Sequence, residues 1–420
     1  MDDISKRLAA LTAEQRELLE RRLREKGLQS HLAPDASGVG VADAAERAAP
    51  APETVEDPTA WKERRVERGM RFSLYFFSDD GSKNSDDKYR LLIESAKFAD
   101  RRGFSAVWTP ERHFQAFGGL YPNPSVLSAA LAMITERVQI RAGSVAVPLH
   151  HPVRVAEEWS VVDNLSRGRV AVSFASGWHP NDFLFAPTAY EGRKEVMFSH
   201  IETIQKLWAG ESATFYSVDE TPVEVTILPR PVQPTLPVWI TTAGSPDTWK
   251  KAGEIGANVL AAFAGYPPED LKQRIREYRA ARAAGGHDAQ TGVVSMMVHT
   301  FVGDDNGAVK EKVRKPFSNY LRTYFKQYEK VRVDPENMTE ADKDALMAAA
   351  FERYFEDSTL MGTTAKCARL IEQLTEMGVD ELACLVDFGV DTDSVLASLE
   401  HLNELKEHFD WEPARERATV

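Results

Sequence analysis

The sequence predicts an α/β fold, a (β/α)8 TIM barrel with long insertions, preceded by a short helical segment. Strand-like and helix-like runs alternate from about residue 70 to the end of the chain, the pattern of a parallel sheet wrapped by helices. The strand-like runs number eight, as a closed barrel requires. Polar and glycine-containing segments follow several of these runs directly, at the barrel end where such folds build their sites.

Residues 1–30 open the chain as a helical docking or linker segment, with Ile4, Leu8 and Leu11 on one apolar stripe and Leu18, Leu19 and Leu23 on the next. Thr12 and Gln15 form a capping box between the two short helices. A pair this small buries too little surface to be stable alone, so it docks on a partner, on its own copy or on the main domain. Residues 31–69 turn to Ala, Pro, Gly, Asp and Glu without periodicity, the composition of a flexible linker. The boundary falls between Trp61 and Met70.

The barrel is expected over 70–410, with strands at 70–77, 104–109, 138–147, 169–175, 237–242, 257–263, 293–302 and 382–388. Helices fill the gaps: Tyr89, Leu92, Ile93, Ala96 and Ala99 share one helical face, and Leu127, Leu131 and Ile134 another. Two stretches exceed ordinary connections. Residues 210–236 read as a hairpin ending in a Pro-rich turn, and 304–360 as a largely helical insertion. Insertions of this kind cover the mouth of a barrel. Residues 411–420 are a C-terminal tail.

With 420 residues, 43% hydrophobic and 27% charged, the chain has the composition of a globular enzyme with a large core. A net charge of -13 argues against nucleic-acid binding, which needs a Lys/Arg surplus. The two cysteines, Cys367 and Cys384, sit in apolar contexts as buried reduced thiols, which fits the cytoplasm. The N-terminus lacks the apolar core of a signal peptide, and no run approaches the ~18 apolar residues of a membrane span.

Four strand ends carry candidate chemistry. After the second strand, Glu111, Arg112 and His113 gather a carboxylate, a guanidinium and an imidazole. They serve to position or protonate an oxygen species, or else Glu111 pairs with Arg112 and His113 is structural. In the third, Gly143 and Ser144 let a planar ligand approach the backbone. His150 and His151 then either turn into a helix opened by Pro152 or bind a metal; no third ligand stands at a recognisable spacing, and no metal site is expected. The fourth runs into Ser176, Gly177 and Trp178, either exposed amides beside a stacking aromatic or an ordinary glycine turn with a core tryptophan. The fifth ends in Thr242, Ala243, Gly244 and Ser245, with Ser245 as N-cap and Pro246 opening the next helix. This is a plain cap or a phosphate site. Together the four read as a nucleotide-like cofactor site.

The segments TPERHFQAFGGLYPNPS, AGSVAVPLHHPVRVAEEWSVVDNLSRGRVAVSFASGW and ITTAGSPDTWKKAGEIGANVL resemble the flavin-dependent luciferase-like monooxygenases. The likeness covers about residues 70–405. The ensemble resembles the branch within nonribosomal peptide and polyketide assembly lines, and LAALTAEQRELLERRL resembles docking helices of nonribosomal peptide synthetases.

The resemblance implies reduced FMN as cofactor and a separate flavin reductase as partner. It places a non-proline cis peptide at Gly143-Ser144 under the flavin ring, sets Ser176, Gly177 and Trp178 beside isoalloxazine and phosphate, and makes Thr242, Ala243, Gly244 and Ser245 the phosphate-binding turn. Glu111, Arg112 and His113 become the catalytic candidates. Arg112 stands where bacterial luciferases have a catalytic histidine, and Ala175 where they have a reactive cysteine.

The expected function is hydroxylation by reduced FMN and O2 of an acyl or aminoacyl group held on a carrier protein, within natural-product biosynthesis. Family barrels are often homodimers. N-hydroxylation, Baeyer–Villiger insertion, deazaflavin-dependent hydride transfer and a non-catalytic module are the competing readings.

Overall fold

Eight runs rich in Val, Ile, Leu and aromatics, too apolar to face water on either side, close into a parallel barrel in the computed structural model. The structure describes residues 59–64, 68–77, 87–177, 179–264, 266–332 and 340–410. In chain order the elements are β1 (Arg71–Tyr75), α1 (Arg90–Arg102), β2 (Ala106–Thr109), α2 (Pro124–Ala132), β3 (Gln139–Ala146), α3 (Pro152–Ser166), β4 (Val170–Ala175) and α4 (Arg193–Ala209). Next come β5 (Ala213–Tyr216), β6 (Pro222–Val225), β7 (Val238–Thr242), α5 (Pro246–Glu254), β8 (Asn258–Ala262), α6 (Pro268–Ala284) and β9 (Val294–Val302). The chain continues through α7 (Asn306–Arg332), α8 (Glu340–Asp357), β10 (Leu360–Gly362), α9 (Thr364–Met377), β11 (Glu381–Leu385) and α10 (Thr392–Phe409).

The barrel runs β11-β1-β2-β3-β4-β7-β8-β9, and β9 closes on β11. All eight expected strands are present. The 210–236 stretch forms the antiparallel β5–β6 hairpin, and 304–360 supplies α7 and α8. One expectation shifts: α2 ends at Ala132, so Ile134 lies beyond it and is exposed. The docking segment at 1–30, most of the linker at 31–69 and the tail at 411–420 lie outside the described residues. Within the expected linker, Trp61 is buried with its ring 4.9 Å from His408 and 6.3 Å from Phe409. Among the described residues no helix is long and apolar enough to cross a membrane.

Polar side chains set the frame. In the lower barrel, near the strands' N-terminal ends, the Arg141 guanidinium lies between the rings of Trp108 and Trp239, 4.6 and 4.3 Å from their centroids. It pairs with Glu381 at 2.7 Å, and Ser105 and Ser295 also donate to that carboxylate. The segment from His151 to Arg169 is largely structural. Arg169 donates to the carbonyls of Ala132, Thr135 and Val138, groups left unpaired where α2 ends and β3 begins. Asp163 accepts the Val232 and Gln233 amides and so pins the Pro-rich turn beyond the hairpin. Cys367 and Cys384 are buried free thiols, each pushed up to about 12 by burial.

Candidate active site

The segment after β2 continues the strand without entering a helix, and in a strand residues two apart share a side while neighbours point apart. Glu111 and His113 therefore meet: His113 Nε2 lies 2.8 Å from Glu111 Oε1. His150, beyond β3, brings its Nε2 to 2.5 Å from the same oxygen, while the Ala146 amide donates to Oε2 at 2.8 Å. The Glu111 side chain is only 2% exposed. Burial pushes its carboxyl up, but hydrogen bonds from both histidines, the charge of His150 and the Ala146 amide outweigh burial and hold it at about 2. Burial lowers His150, and the bond to Glu111 with its charge more than reverses this, so the imidazole is raised above its ordinary value.

Arg112 points the other way. Its guanidinium lies over Phe77 and Phe117, 4.7 and 5.2 Å from their centroids, and its amide donates to the Tyr121 carbonyl at 2.8 Å. The alternative pairing of Glu111 with Arg112 fails for this reason, since Glu111 engages two histidines and an amide instead. Asp182, in the turn after β4, is raised by burial against the opposing charges of His179, His113 and Arg112.

On β3 the Gly143–Ser144 peptide is cis. A Cβ on Gly143 would lie 2.7 Å from Tyr75 Cε2 and 3.1 Å from Trp108 Cε3, so only glycine fits. The buried Tyr75 hydroxyl donates to the Gly143 carbonyl. Ser144 and Ser173 both hydrogen-bond the Thr241 hydroxyl, the latter at 2.7 Å, which ties β3 and β4 to β7. Burial raises the Tyr75 phenol well above its ordinary range.

Along the rim, Ser176 and Gly177 are half-buried, with Gly177 at φ 73. Trp178 lies outside the described residues. Thr242 keeps a buried Oγ1 with no partner among the described residues. Ala243 is exposed, and Gly244 adopts φ 102 with only the Tyr266 hydroxyl, at 3.6 Å, near its missing Cβ. Ser245 caps α5 through its backbone, and its hydroxyl makes no capping bond. An orphaned threonine hydroxyl, an uncommitted serine hydroxyl and the positive end of α5 fit a phosphate.

The structure thus brings the described members of the two groups of expected residues to the same end of the barrel. Sequence reasoning missed Tyr75, Asp182 and Asp387, and treated His150 only as a turn or metal residue. Asp387 is buried beyond β11 and accepts the Phe77 amide at 2.9 Å and the Tyr121 hydroxyl at 3.2 Å. The spacing of Glu111 and His113 held a signal for their contact. Nothing local marks His150 as the third member.

The luciferase-like monooxygenase family matches residues 70–381. The chain belongs to that family. Among curated relatives, the oxygenase component of the flavin-dependent trigonelline monooxygenase of Acinetobacter baylyi is 26% identical over 367 residues, covering 84% of this chain and 99% of the relative. Solved structures share the fold, two of them as follows. The monooxygenase RslO1 of Streptomyces bottropensis has a TM-score of 0.69 at 23% identity, covering 81% of this chain and all of that one. The oxygenating constituent of 3,6-diketocamphane monooxygenase of Pseudomonas putida, a type II Baeyer–Villiger enzyme in complex with FMN, has a TM-score of 0.63 at 19% identity, covering 80% and 97%. This luciferase-like protein is a flavin-dependent monooxygenase.

Proposed function

We propose that the protein is the oxygenase of a two-component system, taking reduced FMN from a separate reductase and hydroxylating an acyl or aminoacyl group carried as a thioester on a carrier protein. One observation carries the FMN reading: the phosphate-like turn at Thr242 to Ser245 and the Glu111, His113 and His150 cluster stand at the same barrel end. The carrier and assembly-line part rests on the resemblance of the N-terminal segment to synthetase docking helices.

In this reading Thr242, Ser245 and the first turn of α5 hold the phosphate, with Ala243 and Gly244 giving it access. Gly143, Ser144, Ser176, Gly177 and Trp178 line the ring. When bound, reduced flavin supplies two electrons to O2, so that one oxygen enters the substrate and the other leaves as water. The ionised Glu111 orients His113 and His150 and keeps a proton available on an imidazole. Arg112, held over Phe77 and Phe117, fixes the wall opposite. The α7–α8 insertion excludes water. Tethering on a carrier raises the effective concentration of a weakly bound group.

The test has two parts. FMN and riboflavin are titrated against the wild type, Thr242→Val and Ser245→Ala. FMN should weaken about tenfold in each variant, as for the loss of a charge-assisted hydrogen bond, while riboflavin is unchanged. Carrier-bound and free acyl groups are then compared with a reductase and O2. Equal use of both removes the carrier from the reading, and turnover without O2 on a deazaflavin replaces it with hydride transfer.

A further inference from the structure

His299 lies on β9, on the same strand face as Ser295, whose hydroxyl reaches Glu381 inside the barrel. Its side chain therefore faces the barrel interior, four residues nearer the C-terminal mouth. It is buried, and its Nε2 has no hydrogen-bond partner among the described residues. Three aromatic rings meet the imidazole nearly edge-on: Phe317 at 4.8 Å, Tyr320 at 4.6 Å and Phe388 at 5.9 Å. Two of them come from α7, in the insertion. The wall continues from Tyr320 to Phe117 at 5.2 Å and from Phe117 to Phe77 at 5.8 Å, the two rings beneath Arg112. One aromatic surface thus joins a candidate catalytic side chain to a polar atom with nothing to bind.

A buried polar atom without a partner is destabilising, so native proteins retain one where something else satisfies it. Burial alone pushes the imidazole down to about 3, so it is neutral at physiological pH. A neutral ring cannot balance a carboxylate or an ammonium, and a hydroxyl suits it in either tautomer because a hydroxyl both donates and accepts. Flat aromatic neighbours favour a flat aromatic guest. Pro316 interrupts the hydrogen bonding of α7 immediately before Phe317, giving the wall a place to yield as a ring enters.

We propose that His299 determines substrate specificity by binding, through Nε2, the hydroxyl of an aryl group that enters the aromatic wall between α7 and the barrel. The inference deepens the proposed function and rests on it, making the oxidised acyl group a hydroxyaryl one.

Phenol and toluene, which match in shape and differ by the hydroxyl, are the probes. Each is titrated calorimetrically into the full chain with and without FMN, in the wild type and in His299→Phe, and the histidine ¹⁵N signals of the wild type are followed in parallel. Phenol should bind the wild type about tenfold more tightly than toluene, the worth of one buried hydrogen bond. His299→Phe should abolish that preference, and the His299 Nε2 signal should move with phenol and not with toluene. Equal affinities in the wild type, binding of neither probe, or an unmoved Nε2 signal at saturating phenol would overturn the proposal. The ¹⁵N measurement decides the matter on the wild type if His299→Phe does not fold. FMN affinity in the same samples separates the two readings: failure of FMN to bind counts against the proposed function, while the probe titrations made without FMN still judge His299.

Discussion

Glu111 and His150 meet 2.5 Å apart although 39 residues separate them. Two neighbouring strands deliver them, since β2 pairs with β3 and each chain segment emerges at the same barrel end. The carboxylate oxygen that takes His150 also takes His113, so one buried charge orients two imidazoles.

Glu111→Gln removes that charge and keeps the shape. With its oxygen kept towards the two histidines, the amide turns its NH2 against the Ala146 amide, which loses its acceptor, and His150 loses the carboxylate that favours its protonated form. Loss of a buried charged hydrogen-bond partner should cost about 1–3 kcal/mol of stability. Turnover should fall about 100-fold, within the range of lost acid–base assistance, with FMN affinity unchanged. Melting curves, FMN titration and the steady-state rate check this, and an undiminished kcat would remove Glu111 from the catalytic assignment.

Two histidines should tilt the stability–pH profile in opposite directions. His150 is raised above 6.5, so its contribution is complete below pH 6.5 and is lost as pH rises through its folded value. Glu111, held at about 2, contributes above its ordinary 4.5 and loses that as pH falls through about 2. His299 is lowered from 6.5 to about 3. The unfolded chain protonates it first, so stability is lost as pH falls from 6.5 towards 3. Urea unfolding at a series of pH values should show the advantage of wild type over His150→Gln shrinking above pH 6.5. Relative to His299→Phe, the wild type should instead lose ground below pH 6.5. Parallel curves for either pair would refute that assignment.

The barrel was legible because its eight strands announce themselves locally, through apolar runs of strand length alternating with helical periodicity. The turn into α5 was legible too, because Ser245 and Pro246 mark the start of that helix by residue type. What escaped were contacts between distant segments. His299 meets Phe317 and Tyr320 only because α7 folds back from an insertion, and His150 meets Glu111 only because their strands are adjacent. Asp387 reaches Phe77 across the pairing of β1 with β11. The rule that neighbours diverge in an extended run would have separated Glu111 from Arg112 in advance. The end of α2 was misplaced because the Thr135 hydroxyl on the Leu131 carbonyl and the Arg169 guanidinium on the Ala132 carbonyl, not a glycine or proline, terminate it.

Gly143→Ala tests the close packing beneath the candidate ring site. The added methyl would lie 2.7 Å from Tyr75 and 3.1 Å from Trp108, side chains fixed by bonds to Gly143 and Ser73. Overpacking of this kind costs about 1–3 kcal/mol. The Tyr75 ring must also shift, moving the peptide that its hydroxyl holds. The variant should melt earlier and bind FMN more weakly; unchanged values for both would show that the site has slack the geometry does not reveal.

The Arg141–Glu381 pair gives a prediction about stability alone. Both side chains are buried, at 4% and 0% exposure, and burial works against each charge while the partner restores it. Breaking such a pair strands a charge at a cost of about 3–5 kcal/mol, whereas removing both charges is often close to neutral. Arg141→Met leaves Glu381 with only Ser105 and Ser295 as donors. Glu381→Gln leaves the guanidinium uncompensated between two indoles. Each single variant should therefore be strongly destabilised. The double variant should be more stable than the sum of the two losses, because no charge is left unbalanced, methionine fills the space between Trp108 and Trp239, and glutamine accepts from one serine while its NH2 donates to the hydroxyl oxygen of the other. A double-mutant cycle of chemical unfolding measures the difference, and a coupling below about 1 kcal/mol would mean that the indole faces and serine hydroxyls, rather than the opposite charge, keep each group in place.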